Sequence, residues 1–155
     1  MTKQKKVIRR KLLQKKVLEN LYTINVDYQW WDSTYEDARQ IGLEIEAFDI
    51  DRGTSEGRFT LSPEDVMTAI LHNHGDACST FKTAEEYKNE LSLLSQDDED
   101  YDEKYSDIKD DFLRSLLEDY CIILSKEYDY LTSEEAIKET IECNDYEFTA
   151  EGKIV

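Results

Sequence analysis

The chain has 155 residues, with 36 acidic and 19 basic side chains and a formal charge of −17. Apolar residues make up 39% and aromatics 11%, and a chain of this length buries roughly 70% of its unfolded surface; that excludes a disordered chain and a scaffold that needs disulfides or metal to fold. No apolar run approaches the length of a membrane span, and three widely spaced cysteines behind no apolar leader lead to the expectation of a reducing cytoplasm.

The charge is unevenly placed. Residues 1 to 16 hold eight Lys/Arg and no acid, so the remainder sets 36 acids against 11 of the 19 bases, a net of −25. At one charge per 1.7 Å, that equals about 42 Å of duplex DNA, close to the diameter of a domain this size. The spacing predicts a helix over residues 3 to 21, with Val7, Ile8, Leu12, Leu13, Val17, Leu18 and Leu21 available for packing on loosely aligned faces. Its basic first half reads as an arm that touches nucleic acid, neutralises an acidic body or drives oligomerisation.

Leu21 to Tyr28 alternates enough for a short strand or an extended entry. Trp30 and Trp31 follow; adjacent residues point apart, so one is expected in the core and the other partly exposed, as a cover over the helix entry or as an interface anchor. Ser33, with Glu36 three residues on, forms a capping box for a helix that Gly42 stops. In the strand Leu43 to Ile50, Leu43, Ile45 and Ala47 face inward and alternate with Glu44 and Glu46. Arg58 to Leu61 is its expected hairpin partner across the loop DRGTSEG.

Ser62-Pro63-Glu64-Asp65 starts a helix that runs to His74 and stops at Gly75. Thr83 and Glu86 make a second capping box, opening a helix through Leu94. Residues 97 to 111 carry nine carboxylates in fifteen positions, and the first half of this segment reads as a loop. From about Asp107, the positions Ile108, Phe112, Leu116, Leu117, Tyr120, Ile123 and Leu124 describe the stripe of a central helix reaching Leu131. Thr132 or Ser133 caps a last helix, 134 to 143, and Tyr146 to Thr149 with Lys153 to Val155 reads as a terminal hairpin.

No residue set specifies a reaction. His72, His74 and Cys78, with Asp76, are the only soft-ligand cluster, but histidines two apart on a helix point in nearly opposite directions and the Cys pairs of a zinc site are absent. Asp49 and Asp51 could hold Mg²⁺ at a strand end, yet no phosphate-binding loop or nucleophile elbow accompanies them. Asp98, Asp100 and Asp102 open like a calcium loop, which fails at its sixth position, Glu103, and its twelfth, Lys109. What remains is the carboxylates as a surface: acids three or four apart on a helix form rigid rows that can enter a cationic groove.

Three segments, YQWWDSTYEDARQIGLEIEAFDIDRG, HGDACSTFKTAEEYKNEL and YDYLTSEEAIKETIECNDYEFTAEGK, resemble a family of small acidic, largely uncharacterised proteins of phages and mobile genetic elements. The resemblance implies a bacterial cytoplasmic setting, in which acidic accessory proteins often act against restriction or CRISPR nucleases. It carries no catalytic motif, so no functional residue transfers from it.

The expectation is a single α+β domain, helix-dominated, with a small antiparallel sheet and a long central helix; residues 1–16 form a basic arm and residues 17–155 the acidic body. The C-terminal hairpin is a further candidate for that sheet. The expected function is non-enzymatic: an acidic face that mimics DNA and engages a basic protein surface, such as a host nuclease. Its partner-binding residues would be Asp97, Asp98, Glu99, Asp100, Asp102, Glu103, Asp107, Asp110 and Asp111, with Trp30 as anchor. No catalytic residue, cofactor or metal is assigned. The alternatives are an oligomerising module that uses the basic arm and, third, a metal-dependent hydrolase.

Overall fold

The computed structural model describes residues 13–144 and 146–154. Most of the basic arm, residues 1–12, therefore lies outside the described residues. The elements in order are α1 (residues 13–20), α2 (Asp32–Gln40), β1 (Leu43–Asp49), β2 (Thr54–Phe59), α3 (Pro63–Asn73), α4 (Ser79–Ser92), α5 (Tyr101–Leu131) and α6 (Glu134–Asn144). The fold is α+β, helix-dominated, with one two-stranded antiparallel sheet and a long helix, α5. The chain forms two compact units: Trp31–Ser125, and the described part of Met1–Trp30 together with Lys126–Val155. This division falls at Trp30/Trp31 and inside α5.

In the unit Trp31–Ser125, α2 begins without the expected Ser33 cap. Trp31 occupies the N-cap position and no side chain caps the helix; Asp32 places a carboxylate in the first turn, where the helix dipole favours it. Gly42 leaves the helix at φ +86°, and a Cβ there would stand 2.8 Å from the Leu61 side chain, so only glycine makes this turn into β1. The hairpin is tighter than expected. β2 begins at Thr54, four residues before Arg58, because the turn is confined to Ile50–Gly53; there Asp49 Oδ1 accepts from the Arg52 amide at 3.2 Å.

The register shifts between Ile45 and Ala47, a bulge that leaves Glu46 unpaired and reverses the alternation beyond it. Ala47, expected inside, is exposed, and Phe48 turns inward against Trp31 and Tyr35, with ring centroids 5.7 and 6.1 Å away. Both tryptophans are half-buried, so neither divides the roles of core residue and exposed anchor.

α3 starts as its sequence dictates: Ser62 Oγ accepts from the Asp65 amide at 3.1 Å, Pro63 leads, and Val66 and Ile70 are buried. α4 opens four residues before Thr83, with Cys78 at the N-cap. Thr83 is thus interior to the helix, and its hydroxyl donates across to Asp119 Oδ2 at 2.6 Å. α5 opens at Tyr101, six residues before the expected Asp107. Asp102 and Glu103 in the first turn suit the positive end of the helix dipole, and the Lys104 amide donates to the Asp100 carbonyl at 2.9 Å.

The core of this unit joins Ala38, Ile41, Leu43 and Ile45 to Val66, Ile70, Ala84 and Tyr87, and to Phe112, Leu116, Leu117 and Tyr120 of α5. Of the expected stripe, Ile123 is 42% exposed, and Cys121, outside that stripe, is buried instead; helical phase places Cys121, four residues after Leu117, on the core side. Gly57 lets β2 close on its surroundings: a Cβ there would lie 2.3 Å from the Glu44 carbonyl and 3.0 Å from Leu117. Ser55 Oγ donates to the Leu117 carbonyl at 2.6 Å, a peptide oxygen interior to α5.

In the other unit, Leu21–Tyr28 forms turns instead of a strand. Buried Asn25 explains the difference: its amide donates to the Leu131 carbonyl at 2.9 Å and its Oδ1 accepts from Thr140 at 2.6 Å, bonds an edge strand would not make. Ser133 caps α6 by accepting from the Ala136 amide at 3.2 Å, and Ala136 and Ile137 are buried. The expected terminal hairpin is reduced, among the described residues, to one bridge, Phe148 with Ile154. Gly152 turns the chain there at φ +80°, where an added Cβ would stand 2.9 Å from the α1 backbone at Lys16, so the turn requires glycine. That bridge does not join β1 and β2, which form the sheet by themselves.

A polar junction ties α3, α4 and α5 together. Glu64 Oε1 accepts from Tyr105 at 2.5 Å and from Tyr87 at 3.3 Å. Burial raises the Glu64 carboxyl pKa, but the bonds from Tyr105, the backbone and Tyr87 outweigh burial and hold it below its usual 4.5. A depressed acid contributes stability above its unfolded value and loses it as pH falls through the folded one. Tyr105→Phe should therefore cost about 1 kcal/mol near pH 7, after allowing for solvent screening, and less near pH 3. Urea unfolding at both values measures the difference; an equal loss at both would assign the effect to packing.

Candidate functional site: an acidic helix face and the seam beside it

All nine carboxylates expected to bind a partner are exposed. Asp97, Asp98, Glu99 and Asp100 lie in the turn before α5; Asp102, Glu103, Asp107, Asp110 and Asp111 stand on the helix itself. At 100° per residue, Glu103, Asp107, Asp110 and Asp111 fall within an arc of about 100°, turned away from the side that carries Phe112. Asp102 falls outside that arc. The row is rigid because Phe112, Leu116 and Tyr120 hold the opposite side of α5 in the core.

Two cations reduce its charge locally. Lys104 lies 2.9 Å from Asp98, and Arg114 pairs with Asp111. Both pairs are exposed, where ion pairs contribute little to stability, so they trim the field without removing it.

Trp30, the expected anchor, is described within its own unit. It belongs to the unit formed by the chain ends, is half-buried and packs on Tyr128 with ring centroids 5.7 Å apart.

Composition alone did not point to the carboxylates along the seam of α4 and α5. Thr83, Glu86, Tyr87 and Glu90 repeat at i, i+3, i+4 and i+7 on α4; Ile108, Asp111, Phe112 and Ser115 repeat the same spacing on α5. These eight residues, with Arg114, line a hollow of about 210 Å³. Tyr87 and Phe112 stack face to face beneath it, centroids 4.1 Å apart and planes 6° from parallel. Burial first, then Glu86 and Asp111, push the Glu90 carboxyl above its usual value. Burial likewise raises Asp119; the Thr83 hydroxyl opposes that shift and Glu118 adds to it. The visible signal was the four-residue spacing of Glu86 and Glu90, obscured by reading Glu86 as half of a capping box.

The other chemistries gain no geometry. Among the described residues, no group of three or more His, Cys, Asp or Glu side chains is placed to hold a metal ion. His72 is exposed, whereas His74 turns inward, with Nδ1 2.6 Å from Thr80 Oγ1 and Nε2 3.8 Å from Asp37. Asp49 is engaged in its own turn, 3.6 Å from Arg52. Cys78 and Cys143 are exposed free thiols and Cys121 is a buried one. Among the described residues, no helix is long and apolar enough to cross a membrane.

Comparison of the chain with protein-family models, curated proteins and solved structures gave no match.

A carboxyl whose folded pKa is raised weakens the fold as it ionises, so the cost is absent at low pH and complete above the folded value. Glu90→Gln should accordingly stabilise the protein near pH 7 by up to about 1 kcal/mol, discounted for solvent screening, with the gain vanishing below about pH 4. Denaturant midpoints at the two pH values test this. A variant less stable than the parent at pH 7 would show that the carboxylate supports the fold.

Proposed function

We propose that the chain is a non-enzymatic binding protein whose acidic face engages a basic protein surface, that of a nucleic-acid-handling enzyme, in the manner of a DNA mimic. The observation that carries this reading is the rigid arc Glu103, Asp107, Asp110 and Asp111, set beside the exposed acids of residues 97–100. Charges on a preformed helix need no backbone ordering on binding and steer association electrostatically. The phage or mobile-element setting is part of the proposal and rests on the three resembling segments.

Neutralising Asp97, Asp98, Glu99, Asp100, Asp102, Glu103, Asp107, Asp110 and Asp111 to Asn or Gln tests it. Immobilised parent protein should retain nucleic-acid-binding proteins from a bacterial lysate, and duplex DNA should elute them. The neutralised protein, with an unchanged circular dichroism spectrum, should retain at least about tenfold less, a loss of roughly 1.4 kcal/mol in binding. Equal retention by both proteins would refute the reading.

A further inference from the structure

The acidic face adjoins a groove that accounts for carboxylates the face itself does not use. The hollow between α4 and α5 adjoins a second one of about 360 Å³, lined by Glu90, Leu93, Leu94, Lys104, Asp107 and Ile108. Glu90 and Ile108 line both, so the two hollows lie side by side along the seam, a channel in two parts. Its apolar end is unusual: Leu93 is 87% exposed, the highest among the large apolar residues described. Its polar end carries Glu86, Glu90 and Asp111.

Charge complementarity decides what such a channel suits. Among the described residues, neither Glu86 nor Glu90 has a cation within ion-pair distance. The two cations on the channel are already engaged, Arg114 with Asp111 and Lys104 with Asp98. The last turn of α4 holds no basic residue, so the negative end of its dipole, at Leu93, is also uncompensated. A nucleic acid is repelled by every one of these features. A lysine or arginine side chain fits them, with its aliphatic stem along Leu93 and Ile108 and its charged head among the carboxylates.

We propose that the α4–α5 seam is a docking groove for a basic amphipathic helix of a partner protein, whose apolar face covers Leu93 and Ile108 and whose cation enters between Glu86, Glu90 and Asp111. The inference rests on the acidic-binding function proposed above and localises it. Helix-in-groove docking of this kind takes its affinity from the apolar anchors and its register from the charges. Burial is the main cause of the raised Glu90 pKa, and the neighbouring carboxylates Glu86 and Asp111 add to it before any partner arrives. An incoming cation offsets those neighbouring charges, so binding should strengthen as Glu90 ionises.

The test uses the full chain, isotopically labelled, and two synthetic peptides. One is an amphipathic Leu/Lys helix of about 18 residues, five helical turns; the other is oligolysine of equal charge. The amphipathic peptide is expected to shift the amide resonances of residues 86–94 and 107–115. Leu93→Ser and the pair Glu86→Gln with Glu90→Gln should each weaken it by about tenfold, whereas neutralising Asp97, Asp98, Glu99 and Asp100 should weaken it less than about twofold. Oligolysine binding as tightly as the amphipathic peptide, with shifts centred on residues 97–103, would overturn the groove and leave the acidic face standing. Absence of binding by both peptides at about 1 mM would overturn both. Circular dichroism of each variant separates lost binding from lost fold, and Leu93, being exposed, can change without opening the core.

Discussion

The stack of Tyr87 on Phe112 is the contact on which the acidic architecture depends. Two rings 4.1 Å apart and nearly parallel hold α4 and α5 at a fixed separation over the core. The spacing that brings Tyr87 onto Phe112 also brings its helical neighbours together, because residues three and four apart share a face. Glu86 and Glu90 flank Tyr87 on α4, and Asp111 precedes Phe112 on α5, so burying the aromatics forces the carboxylates toward one another. The hydroxyl of Tyr87 extends the same contact to Glu64 on α3, where Tyr105 joins it. One aromatic pair thus fixes three helices and the charges along one of their seams.

The acids divide by what the fold does with their charge. Glu64 is satisfied by two phenol donors and is held ionised. Glu90 and Asp119 are in the opposite condition, their ionisation resisted by burial and by neighbouring acids, with one hydroxyl bond at Asp119 as partial relief. The first kind supports the fold, and the second is tolerated by it. Glu90 lies beside the exposed Leu93 and weakens the fold that holds it, a cost that fully exposed acids kept only for solubility do not carry, because exposure leaves them hydrated.

Much of the fold was legible in the sequence where the cause is local. Ser62-Pro63 starts α3 because a hydroxyl cap and a missing amide act within one turn, and Ser133 caps α6 for the same reason. The failures have non-local causes. The bulge after Ile45 arises from pairing with β2 and from the close approach of Gly57 to the Glu44 carbonyl, so the simple alternation through Ala47 misplaced both Ala47 and Phe48. Turns replace a strand before Tyr28 because Asn25 is bonded to residues more than a hundred positions away. At the site, the acids of residues 97–111 stood out by density alone, whereas Glu86 and Glu90 could be found only by asking which face of a helix they share.

The early start of α5 joins the two halves of this account. Reading acid density as loop treats carboxylates as mutually repelling and therefore disordering. Placed in the first turn of a helix they are stabilised instead, since the unpaired amides there carry positive potential. Asp102 and Glu103 occupy that turn, and Tyr105, one turn inward, is anchored on Glu64. The six residues this adds to the helix carry Glu103 onto the same arc as Asp107, Asp110 and Asp111 and give it a fixed position. A loop would have left it mobile, and any partner would have had to order it on binding. The charge that obscured the helix in the sequence is therefore favoured by its first turn and made rigid by it.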